Sequence, residues 1–222
     1  MPEGTKPEVT AVIAAAGSGE RLGAGGPKAF VPLGGRPMIA WSLDACLACE
    51  GVAGVVVAVP TGCEHGLGGR ARVRTVDGGS TRAESVANAL AAVDTEYVAI
   101  HDAARPLLTP ELLQDLVAVL AADSDADAVI AAAPLTDTVK KVDGNRVEET
   151  LDRSRLWGAQ TPQVFRTAAL RAALDSHDAA TDEAMLIEAA GGKVLIHDSG
   201  APNIKVTTPL DLRIAELLLP DR

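Results

Sequence analysis

Five glycines, Gly17, Gly19, Gly23, Gly25 and Gly26, follow the first apolar run, with Arg21 among them and Pro27-Lys28 just after. Glycines let backbone N–H groups approach and wrap a phosphate chain, and the two cations would balance its charge. Two common phosphate loops do not match. A dinucleotide-binding G-x-G-x-x-G needs its third glycine one position before Gly23, and a P-loop needs Ser or Thr where Ala29 follows Lys28. A bare surface loop is the alternative reading. Further on, Asp77-Gly78-Gly79-Ser80 makes a turn, with Arg82 and Ser85 early in the next helix. That turn is readable as a helix cap, or as small polar groups set around a base or ribose. In His101-Asp102-Ala103-Ala104-Arg105-Pro106, Asp102 stands immediately beyond a strand, where a carboxylate is placed to meet Mg²⁺ or its water shell beside a triphosphate. Arg105 is able to pair with a phosphate; a structural Asp–Arg pair is the alternative.

These loops need a frame to bring them together. Short apolar runs predict strands at Val9–Ala15, Val55–Val59, Val73–Val76, Tyr97–Ile100, Ala128–Ala133 and Lys193–Ile196, each continuous enough to be buried on both faces. Amphipathic stretches predict helices at Met38–Cys49, Arg82–Val93, Pro110–Ala122, Thr167–Ser176, Asp182–Ala190 and Pro209–Leu219. Thr109-Pro110 and Thr208-Pro209 each set an N-cap before a first-turn proline. The alternation implies an α/β, Rossmann-like three-layer sandwich with a mostly parallel sheet. Ligands then bind at the carboxyl ends of strands, in the loops after Ala15, Val76, Ile100 and Ala133.

One stretch breaks the alternation. Residues 135–156 read as a β-hairpin turning at Asp143-Gly144, with a return strand at Arg146–Leu151. A lone hairpin buries too little to be stable, so this protruding β-hairpin arm is expected to pack on something else, such as a second copy of the chain. The 222 residues otherwise suggest one domain, 1–222.

The spacing Gly17-x-Gly19-x-Arg21, five residues, then Pro27-Lys28 resembles the signature loop of nucleotidyltransferases. AAAGSGERL…PK, VDGGSTRAESV, HDAARP, LTDTVK, DRSRLWGAQTPQVF, ATDEAMLIE and NIKVTTPLDL follow in one order and at compact spacing. Together, from about Val9 to Leu218, they resemble the 2-C-methyl-D-erythritol 4-phosphate cytidylyltransferases of the non-mevalonate isoprenoid pathway. The resemblance implies transfer of CMP from CTP to 2-C-methyl-D-erythritol 4-phosphate with release of pyrophosphate. It implies that Arg21 and Lys28 meet charge developing on the α-phosphate. Ala15, Ala16, Gly17 and Gly19 would line the phosphates and ribose, and Gly79, Ser80 and Ser85 would approach the cytosine and ribose. Asp102 would lie beside Mg²⁺, or another divalent cation bound with CTP. Arg105, Thr138, Arg153, Thr181 and Lys205 would hold the methylerythritol phosphate, with Arg153 and Lys205 aiming its oxygen. In that family the arm crosses to a partner subunit, which implies a homodimer whose Thr138 and Arg153 serve the neighbour's site. The chain departs from the family's usual Pro-Ala-Ala-Gly by having Ala14 before Ala15-Ala16-Gly17, which removes a fixed φ at the loop entry.

The same loops would serve a cytidylyltransferase acting on ribitol 5-phosphate or another polyol phosphate, a sugar-1-phosphate nucleotidyltransferase using UTP or GTP, or a catalytically silent nucleotide-binding subunit. Arg21, Lys28, Asp102 and Lys205 speak against the silent reading. A formal net charge of −10 makes the chain a poor binder of nucleic acid or an anionic membrane, so cations for a polyanion must be local. Three cysteines, Cys46, Cys49 and Cys63, do not form a disulfide framework, and with His65 their spacing matches no common zinc module. With no signal peptide and no apolar run of about 20 residues, a cytoplasmic setting is expected. Trp41 and Trp157 are expected as packing anchors.

Overall fold

The computed structural model describes residues 7–17, 19, 22, 26–63, 66–176, 182–200 and 202–219. A seven-stranded sheet runs in the order β11-β7-β10-β6-β1-β4-β5. Its strands are β1 (Val9–Ala14), β4 (Val52–Val59), β5 (Val73–Asp77), β6 (Tyr97–Asp102), β7 (Ala128–Pro134), β10 (Trp157–Arg166) and β11 (Val194–Asp198). All neighbours are parallel except β10, which lies antiparallel between β6 and β7.

Successive residues of each central strand face opposite ways, and the core divides accordingly. Val9, Ala11 and Ile13 of β1, with Val55 and Val57 of β4, pack under α1 (Met38–Ala48) and α3 (Pro110–Ala122). Val12, Val56, Val98 and Ile100 pack against α2 (Arg82–Leu90), α4 (Thr167–Ser176) and α5 (Glu183–Ala189). Both faces of the sheet are thus covered, which is why these strands read as unbroken apolar runs. A third cluster at one end joins Leu33, Met38 and Trp41 to Val206 and to Ala215 of α6 (Pro209–Leu218). The small ladder of β2 (Pro32–Leu33) and β3 (Arg36–Pro37) lies there. Trp41 is the buried anchor expected, donating from Nε1 to the Leu33 carbonyl at 3.0 Å. Trp157 is not; it is exposed beside the arm.

Thr109 and Thr208 cap α3 and α6 as expected, each accepting a backbone N–H three residues on. The main departure is β10, an added central strand where none was expected. Pro162 has no N–H for a ladder, which argues against an inner strand. The register irregularity between Ala159 and Gln163 takes Pro162 out of the ladder with β7, and Val164 and Phe165 beyond it are fully buried, one in the core on each face of the sheet.

The hairpin forms from β8 (Lys140–Asp143) and β9 (Arg146–Thr150), turning through Gly144 at φ +56°. Every residue of both strands is exposed, including Val142 at 55% and Val147 at 54%. No helix among the described residues is long and apolar enough to cross a membrane.

Candidate active site

After β1 the chain runs outward to β4 and β5 on one side, and later returns with β6 on the other. That reversal leaves a crevice at the carboxyl ends of β1 and β6, where open α/β sheets bind ligands. A cleft of about 700 Å³ opens there. Ala15, Ala16, Gly17, Gly19 and Lys28 form one wall, Gly79, Ser80 and Ser85 another, and Asp102 and Lys205 the floor and far side. Three of the four expected loops therefore meet. The one after Ala133 leads instead into the arm.

The ladder sets the entry to the glycine loop. Ala14 pairs with Ala58 on one side and Asp102 on the other, and the Ala15 N–H donates to the Ala58 carbonyl at 2.9 Å. Those contacts fix the entry that a proline φ would otherwise restrict. Gly19 has φ +72°, and a Cβ there would lie 2.7 Å from the Lys28 Cβ. The loop closes on Lys28 only because no side chain stands between them. Gly78 has the same function on the opposite wall, where a Cβ would come within 2.3 Å of the Ala16 Cβ. Ser85 is buried and braces that turn, accepting from the Gly79 N–H at 3.1 Å and donating to the Thr81 carbonyl at 2.8 Å. This is both a cap and a cleft wall, so the two sequence readings are compatible.

Asp102 ends β6 with its backbone N–H donating to Thr161 Oγ1 at 3.0 Å. Its carboxylate is taken on both sides, by Arg82 Nε at 2.9 Å and Lys205 Nζ at 2.7 Å. Burial would raise this carboxyl, but the charges of Arg82 and Lys205 overcome it and hold the group far below the usual carboxylate range. Lys205 keeps its place because the next residue, Val206, is buried and donates its N–H to the Ala104 carbonyl at 2.8 Å.

His101 is 1% exposed and is not among the residues that line the cleft. Its ring donates from Nε2 to the Arg105 carbonyl at 3.1 Å and accepts at Nδ1 from the Thr161 hydroxyl at 3.2 Å, a tautomer assigned from its partners. Burial lowers its pKa from 6.5 to about 4, so the ring is neutral and works as a brace for the turn that carries Asp102.

Not every expected residue is in this cleft. Arg105 is outside its lining, and its guanidinium donates to the Asn203 carbonyl at 2.6 Å. Thr138 and Arg153 are exposed on the arm and its base, where the Arg153 guanidinium meets the Thr136 carbonyl. Arg21 and Thr181 lie outside the described residues. Conversely, Arg82 and Thr207 line the cleft and were not among the expected site residues. Arg82 had a signal: a cation in the first turn of a helix opposes the dipole and needs an anion nearby.

The family model described as 2-C-methyl-D-erythritol 4-phosphate cytidylyltransferase (IspD) matches residues 9–221. The chain belongs to this family. Its similarity to the 2-C-methyl-D-erythritol 4-phosphate cytidylyltransferase of Parasynechococcus marenigrum is 44% identity over 220 residues, covering 94% of this chain and 96% of that one. The Azoarcus enzyme of the same name is 42% identical over 97% of this chain and 96% of its own. The crystal structure of the Thermus thermophilus 2-C-methyl-D-erythritol 4-phosphate cytidylyltransferase superposes with a TM-score of 0.80 at 34% identity, covering 95% and 98% of the two chains. Cys46 and Cys49 are not among the residues that line the cleft. Burial pushes the Cys46 thiol up to about 12 and the Cys49 thiol up to about 11, so neither is an activated nucleophile.

Proposed function

We infer that this chain transfers CMP from CTP to 2-C-methyl-D-erythritol 4-phosphate, giving 4-diphosphocytidyl-2-C-methyl-D-erythritol and pyrophosphate in the non-mevalonate isoprenoid pathway. Besides family membership, one observation carries the reading: the glycine loop brings Lys28 to the same crevice as Lys205, at the sheet's switch point. In a chain of net charge −10, that focuses cations where a triphosphate would lie.

The described cleft holds no general base, and none is needed. Asp102 is held ionised by two cations, and His101 is buried and engaged on both nitrogens. The attacking group is an oxygen of a phosphate monoester, whose second pKa of about 6 leaves it largely deprotonated at neutral pH. The barrier is the approach of one anion to another. Lys28 and Lys205, with Arg21, offset that repulsion and meet charge growing on the α-phosphate. The loop amides of Ala15, Ala16, Gly17 and Gly19 cradle the triphosphate, while Gly79, Ser80 and Ser85 border the base and ribose.

Among the described lining residues Asp102 is the one carboxylate, and both its oxygens are engaged. This donor set suits a divalent ion held mainly by the nucleotide's own oxygens, with Asp102 meeting its water shell. Bound there, Mg²⁺ would neutralise phosphate charge.

The arm is read as crossing to a second copy, making a homodimer. Its exposure and the position of Thr138 and Arg153 outside this chain's cleft support that reading. Thr138 and Arg153 then hold the acceptor phosphate in the partner's cleft, with Thr181 and Arg105 on the acceptor side. Residues 1–222 act as one catalytic unit. Free, buried Cys46 and Cys49 suit a reducing cytoplasm.

The test is pyrophosphate release with CTP, Mg²⁺ and 2-C-methyl-D-erythritol 4-phosphate, beside ribitol 5-phosphate and beside ATP, GTP and UTP. Release with CTP and the methylerythritol phosphate alone is expected. Release only with ribitol phosphate would reassign the acceptor. CTP binding without turnover on any acceptor would make the chain a silent nucleotide-binding subunit.

A further inference from the structure

Glu183 opens α5 with a side chain only 3% exposed, and the chemistry above makes no use of it. Its two carboxylate oxygens accept from Arg82 Nη1 at 2.7 and 2.8 Å. Arg82 in turn gives its Nε to one oxygen of Asp102, and Lys205 holds the other. Four charges of alternating sign thus run from behind the cleft wall to the cleft itself. An apolar pair would serve stability as well as a buried ion pair, or better, so stability does not explain this one. The helix start explains an acidic residue at this position, but not its burial. Arg82 is the converse case, a cation in the first turn of α2. Each is unfavourable alone, and each compensates the other. Gln163 Nε2 also donates to Asp182 Oδ2 at 2.9 Å, which ties the start of α5 to β10.

We propose that Glu183 is a positioning residue for the nucleotide cleft: it holds Arg82 from behind, so fixing the Asp102 carboxylate that aims Lys205, and it cancels the charge with which Arg82 would trap a polyphosphate. This rests on reading the cleft as the CTP site. Burial pushes the Glu183 carboxyl up while the Arg82 charge opposes it, and with Glu183 ionised the two anions and two cations of the chain balance. Glu183→Gln leaves one positive charge in excess and puts one neutral acceptor behind the guanidinium in place of two charged oxygens. Ground-state polyphosphates then bind more tightly, while the alignment needed for transfer is lost.

The experiment measures kcat and KM for CTP, with pyrophosphate affinity by calorimetry in Mg²⁺, for the wild-type protein, Glu183→Gln and Glu183→Asp. Glu183→Gln is expected to bind pyrophosphate about three-fold more tightly and to lower KM for CTP similarly, while kcat falls about ten-fold or more. Glu183→Asp keeps the charge, so its KM and pyrophosphate affinity stay at the wild-type level and kcat recovers in part. A purely structural residue would lower the melting temperature without tightening pyrophosphate. Wild-type kcat in a folded Glu183→Gln protein, or a loss of kcat with KM unchanged or raised, overturns the proposal. If Glu183→Gln fails to fold, Glu183→Asp decides alone: reduced kcat at unchanged KM supports the proposal, and wild-type kcat overturns it. A wild-type protein that binds pyrophosphate yet shows no turnover with CTP and methylerythritol phosphate defeats the reading of the cleft instead, and the pyrophosphate comparison still tests Glu183.

Discussion

Lys205 Nζ lies 2.7 Å from Asp102 Oδ2, and Arg82 Nε lies 2.9 Å from the other oxygen of the same carboxylate. Asp102 therefore acts as a hub that orients two cations in the cleft rather than as a base. Asp102→Asn would leave both cations with a weak, neutral acceptor. The loss of a largely buried charge partner should cost about 1–3 kcal/mol of stability and much more of activity. Chemical denaturation together with steady-state kinetics checks both. Full turnover in the Asn variant would remove Asp102 from the machinery.

Gly19 and Lys28 make a second linked pair. Gly19→Ala places a methyl group where the structure has the Lys28 side chain and forces φ +72° on a residue that disfavours it. Its kcat should drop at least about ten-fold, in the same direction as Lys28→Ala, because a shift of about 1 Å suffices to misalign a catalytic group. Circular dichroism should show an intact fold in both. A fully active Lys28→Ala protein would sink the role given to that ammonium.

The arm makes a prediction that only a shared site satisfies. Lys28→Ala and Arg153→Ala homodimers should each be nearly inactive. When they are mixed and allowed to exchange, half the dimers become mixed, each with one intact site, so activity should rise toward about a quarter of wild type. No recovery, in a protein shown to exchange subunits, would place Arg153 in its own chain's cleft.

Acid should weaken the fold in two separate windows. The pKa of His101 is lowered by burial from 6.5 to about 4. Above pH 6.5 neither folded nor unfolded protein binds this proton; as pH falls toward 4 the unfolded chain takes it first, so stability drops. The expected loss from this one group is about 2 kcal/mol between pH 7 and pH 5. Asp102 is depressed in the folded state, so its contribution is present above the ordinary carboxylate range and is lost only below about pH 4. Urea denaturation of the wild type and of His101→Gln at pH 7 and pH 5 checks this. The variant should lose less stability over that interval than the wild type, and an equal loss would refute the assignment to His101.

Removing the divalent ion should abolish turnover, while calorimetry of Mg²⁺ against the protein alone should show no tight site. A strong site without nucleotide would contradict a metal held chiefly by CTP.

Much of this architecture was legible because it repeats. Val9–Ala14, residues 55–59 and Tyr97–Asp102 are buried on both faces, and burial on both faces leaves an unbroken apolar run in the sequence. Lys28, which lines the cleft, was legible as a candidate because glycines and a cation in one loop read as a phosphate cradle. β10 was missed because Gln160, Thr161, Pro162 and Gln163 interrupt its apolar pattern, and only the register irregularity makes an inner strand of it. The link from Arg82 to Glu183 was missed for another reason. The two residues are 101 positions apart, and no local spacing reports a pair that only the tertiary fold brings together.

The most direct test of the central claim follows the oxygen atoms. The reaction is run with CTP and methylerythritol phosphate carrying ¹⁸O on its phosphate, and the products are read by ³¹P NMR and mass spectrometry. If the acceptor phosphate attacks the α-phosphorus, all the label stays in a new diphosphate-linked product, including its bridging oxygen, and the pyrophosphate released carries none. Label in the pyrophosphate, or pyrophosphate formed without a diphosphate-linked product, would contradict the transfer assigned to this cleft.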